Sequence, residues 1–117
     1  MSKFKNANDV IWVPEKKGDT LEGLLKSISP WKPPENFKKR GEVNQYIIED
    51  VKGVEWSMIG GTVLDNIIEE QTIVAGMVVR FMYNGQKESK TGDLYKKWGV
   101  QYIPIADLSK DWRDDLE

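Results

Sequence analysis

Glycine and proline cut this chain into short pieces before any apolar run is long enough for an extended helix. Gly18, Gly53, Gly60, Gly61, Gly76, Gly85, Gly92 and Pro104 bound runs of six to ten residues: Asp19–Ile28, Val43–Glu49, Val54–Ile59, Met77–Tyr83 and Leu94–Ile103. Runs of that length with turn residues at both ends read as strands. Gly23 inside the first run predicts a bulge or bend. Asp50–Gly53 reads as the turn of a hairpin, and Asn84-Gly85 as a second turn. Ser29–Glu42, with Pro30, Pro33 and Pro34, reads as a long loop, because proline cannot donate to a central ladder. Helical spacing occurs once, at Leu64, Ile67 and Ile68 within Val63–Glu70, with Thr62 as the expected N-cap.

The element order is therefore three strands, a short helix and two strands. That order predicts a mainly β chain folded as a five-stranded OB-fold barrel with a short helix between its third and fourth strands. An SH3-like barrel is the runner-up, but it has no natural place for the helix. At 117 residues the chain suits one core. The expected organisation is an N-terminal arm over residues 1–17, the barrel over 18–105 and an acidic C-terminal tail over 106–117. Val10-Ile11-Trp12-Val13 in the arm reads as an edge strand or as a segment packed on the body. No run approaches the length of a membrane span, and Met1–Lys5 lacks the apolar stretch of a signal peptide, so a cytoplasmic protein without membrane contact is expected.

Composition narrows the chemistry. The chain has neither cysteine nor histidine, so disulfides, thiolate metal sites and Ser-His or Cys-His nucleophile pairs are excluded. Carboxylate chemistry remains, and Glu88-Ser89-Lys90 matches the E-x-K of metal-dependent nucleases, a three-residue pattern common by chance. No catalytic residue, metal or cofactor is expected. The net charge of −2 is unevenly placed: residues 106–117 hold five carboxylates against two cations, a net −3, so the other 105 residues carry +1. An acidic tail that cannot bury enough apolar surface to order itself is expected to stay loose and to compete with a polyanion for the basic body.

Binding an unpaired strand requires cations for phosphates and flat rings for bases. Two segments mix them. Trp31, Lys32, Phe37, Lys39 and Arg40 lie in the proline-rich loop; Lys87, Lys90, Tyr95 and Lys97 flank the last turn. Alternation puts Leu94, Lys96, Trp98, Val100 and Tyr102 on the core side of the last strand and turns Tyr95 and Lys97 outward together. Trp56 is a candidate for either the core or the binding face.

Several segments carry a resemblance. Gly18-Asp19-Thr20-Leu21-Glu22-Gly23, then Trp56-Ser57-Met58-Ile59-Gly60-Gly61-Thr62-Val63-Leu64-Asp65, then Gly76-Met77-Val78-Val79-Arg80-Phe81 with Gly85–Gly92 stand in the order of the first strand, the third strand with its helix, and the fourth strand with its basic loop in phage-encoded single-stranded-DNA-binding proteins with an OB-fold. The chain resembles that family over residues 18–103. The Trp31–Arg40 insertion and the tail have no counterpart, and the tail lacks the family's Asp-hydrophobic-Pro-Phe ending. The resemblance implies single-stranded DNA as partner, a role in coating strands during replication or recombination, and replication or recombination proteins as partners through the tail; homo-oligomerisation stays open. The alternative is an OB-fold protein-interaction or structural adaptor of a virion or replisome.

Overall fold

A computed structural model of the chain describes residues 10–31, 43–92 and 94–116. One sheet holds β1 (Val10–Ile11), β2 (Thr20–Trp31), β3 (Val43–Glu49), β4 (Glu55–Ile59), β5 (Val78–Glu88) and β6 (Leu94–Ile103), with α1 (Thr62–Glu70) between β4 and β5. The spatial order is β1-β4-β3-β2-β5-β6. β2 to β6 pair antiparallel, and β1 runs parallel to β4. Among the described residues no ladder joins β4 to β6, so the sheet is open where the expected barrel would close. β1 and Trp12, whose N–H donates to the Ser57 carbonyl at 2.8 Å, occupy the β4 edge instead, and the Trp12 ring reaches Trp98 on β6 with centroids 6.1 Å apart.

The core follows the two-residue period of the strands. Leu21 and Leu25 of β2, Tyr46 and Ile48 of β3, Met58 of β4, and Val79 and Phe81 of β5 are buried with Leu64 and Ile68 of α1. Gly23 belongs to the same inward row because no side chain fits there: a Cβ would come within 2.0 Å of the Glu49 carbonyl oxygen. The bulge itself lies three residues on, where Lys26 has no partner between the Leu25–Ile48 and Ser27–Ile47 pairs.

Three local expectations change. β2 continues through Pro30 to Trp31, paired with Asn44 and Val43. Beyond Leu24 its other edge has no β5 partner, so the missing N–H of proline breaks no ladder. Asn84-Gly85 is not the hairpin turn. It is a bulge inside β5, where the register to β6 skips between Tyr83 and Gln86 and Gly85 takes φ +88°. The helix starts one residue early, with Gly61 rather than Thr62 at the N-cap and no side-chain cap.

Asp65, in the first turn of α1, ties the helix to the sheet. One carboxylate oxygen accepts the Tyr46 hydroxyl at 2.5 Å, the other the Asn44 N–H at 3.1 Å. Burial, then the Asp65 carboxylate, push the Tyr46 phenol well above its ordinary range.

The tail is docked rather than loose. Short 3-10 turns cover Ile105–Asp107 and Trp112–Leu116. Arg113 stacks on Trp112 and pairs with Glu49 of β3 at 2.8 Å, and Glu49 also meets Lys26 at 3.4 Å. Asp115 accepts both the N–H and the hydroxyl of Ser109, which hold its carboxyl below the usual range. Asp115 and Leu116 border a hollow with Val78 and Arg80. These specific polar contacts, invisible in the composition, offset the ordering entropy that four apolar residues alone would not.

Candidate nucleic-acid interface

The hairpin of β5 and β6 projects past the Gly85 bulge, and its geometry follows from that bulge. Beyond it the pairs are Gln86–Lys96, Lys87–Tyr95 and Glu88–Leu94. Opposed residues share a face, as do residues two apart along a strand. Lys87, Tyr95 and Lys97 therefore stand together on one face of the hairpin. Lys87 and Lys97 are exposed and Tyr95 is half-buried, which leaves a fixed ring between two free ammonium groups. The turn is Ser89–Gly92: the Gly92 N–H donates to the Ser89 carbonyl, the Ser89 and Thr91 hydroxyls lie 3.0 Å apart, and Lys90 is exposed at the tip.

A second pair of cations reaches this end from the other side of the sequence. Gly18 N–H donates to the Tyr83 carbonyl at 2.7 Å and Tyr83 N–H to the Asp19 carbonyl at 2.8 Å. The turn at residues 15–19 is thereby pinned beside the bulge. The Asp19 carboxylate accepts the N–H groups of Glu15 and Lys16, which lower its pKa and fix the turn. Lys16 and Lys17 are exposed on it. Among the described residues, Lys16, Lys17, Lys87, Lys90 and Lys97 enter no ion pair, and neither do Lys52 in the β3–β4 turn and Lys110 in the tail, whereas Lys26, Arg80 and Arg113 each do. Five of these seven lysines lie at the hairpin end, while the tail docks at the other end of β5 and β6, beside Val78 and Ile103. Five residues of strand separate the docked tail from Tyr83, beside which Lys16 and Lys17 lie, and six to nine separate it from Lys97 and Lys87, on the order of 15 to 30 Å.

The remaining candidates divide. Trp31 is half-buried at the end of β2 opposite Val43, and Val43 lines the same cleft as Tyr95. Lys32, Phe37, Lys39 and Arg40 lie outside the described residues. Trp56 stands apart. It pairs with Ile48 on the core side, packs against the core and donates its indole N–H to Asp50 at 2.9 Å. Trp98 and Val100 pack on the core as alternation predicts, whereas Leu94 and Tyr102 of the same row are exposed. Lys16, Lys17 and Trp12 were not legible as site residues. Lys16-Lys17-Gly18 signals a basic turn, but only the hydrogen bonds to Tyr83 bring it to the hairpin.

Among the described residues no group of three or more acidic side chains could hold a metal ion, and no helix is long and apolar enough to cross a membrane. Comparison of the chain with protein-family models, with curated proteins and with solved structures found no match to any of them.

Proposed function

We propose that this chain binds single-stranded nucleic acid, with DNA the expected ligand, and performs no catalysis. The observation that carries the reading is the face of the β5–β6 hairpin on which Tyr95 stands with Lys87 and Lys97, with Lys16 and Lys17 on the turn pinned to Tyr83 and, among the described residues, none of the four in an ion pair. A ring with flanking cations matches the spacing of base and phosphate along a flexible strand, and every base offers a face to stack, so such a site is tolerant of sequence. The strand order β4-β3-β2-β5-β6 with the helix between β4 and β5 supports an OB-type barrel whose closing pair is replaced by packing of the arm. Coating exposed strands in phage-type replication or recombination is the biological role that fits a small binder without a catalytic site.

The test is a fluorescence-anisotropy titration of labelled oligo-dT against duplex DNA of equal length, repeated over a range of salt. Tighter binding to the single strand is expected, with a log–log salt slope of about −3 if four lysines each meet one phosphate. Equal affinity for both forms, or no salt dependence, would refute the reading.

A further inference from the structure

The open seam of the sheet is not filled. A cleft of about 510 Å³ lies there, between the arm, the start of α1 and the hairpin. Among the described residues its lining includes three aromatic residues, Trp12, Tyr95 and Trp98, and one charged residue, Lys96, and no carboxylate. Its rim exposes Ile11, Val13 and Leu94, each about two-thirds accessible, an unusual share of apolar surface to gather in one place. Tyr95 belongs both to this cleft and to the hairpin face described above.

We infer that this seam cleft holds the continuation of the bound single strand, so that bases leaving the hairpin face pass Tyr95 and enter the cleft beside the packed Trp12–Trp98 pair. The inference rests on the single-strand reading of the hairpin and extends its path. Aromatic lining and apolar rim supply stacking surface, and the described lining residues present a polyanion with one cation and no carboxylate. The arm acquires a reason for its place: by lying on the β4 edge it keeps that edge from pairing with β6 and brings Trp12 opposite Trp98. The glycine wall fits the same purpose. Gly61 lines the cleft and has an extended backbone, φ −165°, that any residue adopts, and a Cβ there would meet nothing within 4 Å. Bulk at this position is therefore excluded neither by strain nor by packing.

Two variants test this by anisotropy with oligo-dT from about 4 to about 16 nucleotides, the range one such domain spans. Gly61→Leu fills the cleft from its open wall. Short oligonucleotides are expected to bind as they do to the unmodified chain, while the gain in affinity with length disappears, a loss of about tenfold or more for the longest, the worth of a stacked base. Ile11 provides a pair of opposite sign on an exposed rim position: Ile11→Glu is expected to weaken, and Ile11→Lys to tighten, binding of long oligonucleotides only. A disturbed fold would move both variants in the same direction and overturn the inference. So would a length dependence left intact by Gly61→Leu. If Lys87→Ala with Lys97→Ala abolishes binding while the cleft variants bind normally, the hairpin reading stands and the cleft is refuted. If the unmodified chain binds no oligonucleotide at low salt, both fail.

Discussion

Asp65→Ala leaves two donors without an acceptor: the Tyr46 hydroxyl, in a side chain with no measurable exposure, and the Asn44 N–H. Hydrogen bonds to a charged acceptor contribute about 1.5–3 kcal/mol each, so the substitution is expected to cost about 3–5 kcal/mol, a large part of the stability of a domain this size. The carboxylate also fills the space a side chain at Gly60 would need; a Cβ there would lie 2.3 Å from it. Tyr46→Phe removes only one of the two bonds and is expected to cost about 1.5–3 kcal/mol. Once the hydroxyl is gone, deleting Asp65 strands only the Asn44 N–H, so the double variant should be more stable than the two single costs predict, by about 1.5–3 kcal/mol of coupling. Urea unfolding of the four proteins, followed by tryptophan fluorescence and far-ultraviolet circular dichroism, measures the cycle. Costs that add to within about 0.5 kcal/mol would mean the two groups do not act together, and the account of how α1 is held to β3 would be wrong. The bond also sets the position of Gly60 and Gly61, and through them the wall of the seam cleft.

Tyr95→Ala should weaken single-strand binding by about 5- to 150-fold, the range for one stacked base, with little change in melting temperature; a large melting drop with normal binding would place the ring in the core. Thr72, a β-branched residue at φ +54° just after α1, should be improved by glycine, and Thr72→Gly is expected to gain about 0.5–1 kcal/mol in urea unfolding; a loss would show that the threonine side chain has a compensating contact. Asp50 is subject to burial, which raises its pKa, but hydrogen bonds from the Trp56 indole and the Val54 and Lys52 N–H groups outweigh it and hold the carboxyl below its ordinary value. A depressed carboxyl stabilises the fold above about pH 4 and loses that effect as pH falls through its folded-state value. Asp50→Asn should therefore be less stable than the parent at pH 6, with the gap narrowing at pH 3; an unchanged gap in the urea midpoints at the two pH values would contradict the assignment.

Much of the β architecture was legible because alternation is a property of each strand on its own. The inward Trp98 and Val100 and the outward pairing of Tyr95 with Lys97 follow from a period of two and from nothing farther away. The position of the helix was legible from Leu64 and Ile68 for the same reason. Asn84-Gly85 misled because glycine at positive φ serves a turn and a bulge alike, and the choice depends on whether Lys87 can find Tyr95 across the hairpin. Trp56 was ambiguous because either face of β4 holds apolar residues; the hydrogen bond to Asp50 and the packing around Ile48 settle it on the core side.

The sequence by itself determined the kinds of residue available: no thiol, no imidazole, five tryptophans, lysines near the last turn and carboxylates near the end. Which of them meet was decided by tertiary structure alone. Lys16 and Lys17 reach the hairpin because Gly18 and Asp19 bond to Tyr83, 65 and 64 residues away; Arg113 anchors the tail because Glu49 faces it, 64 residues back. Among the described residues no ladder joins β4 to β6, and the arm lies along the β4 edge. Each of these depends on the register between strands far apart in the chain, and register is an energy of the whole sheet that no local window of sequence contains.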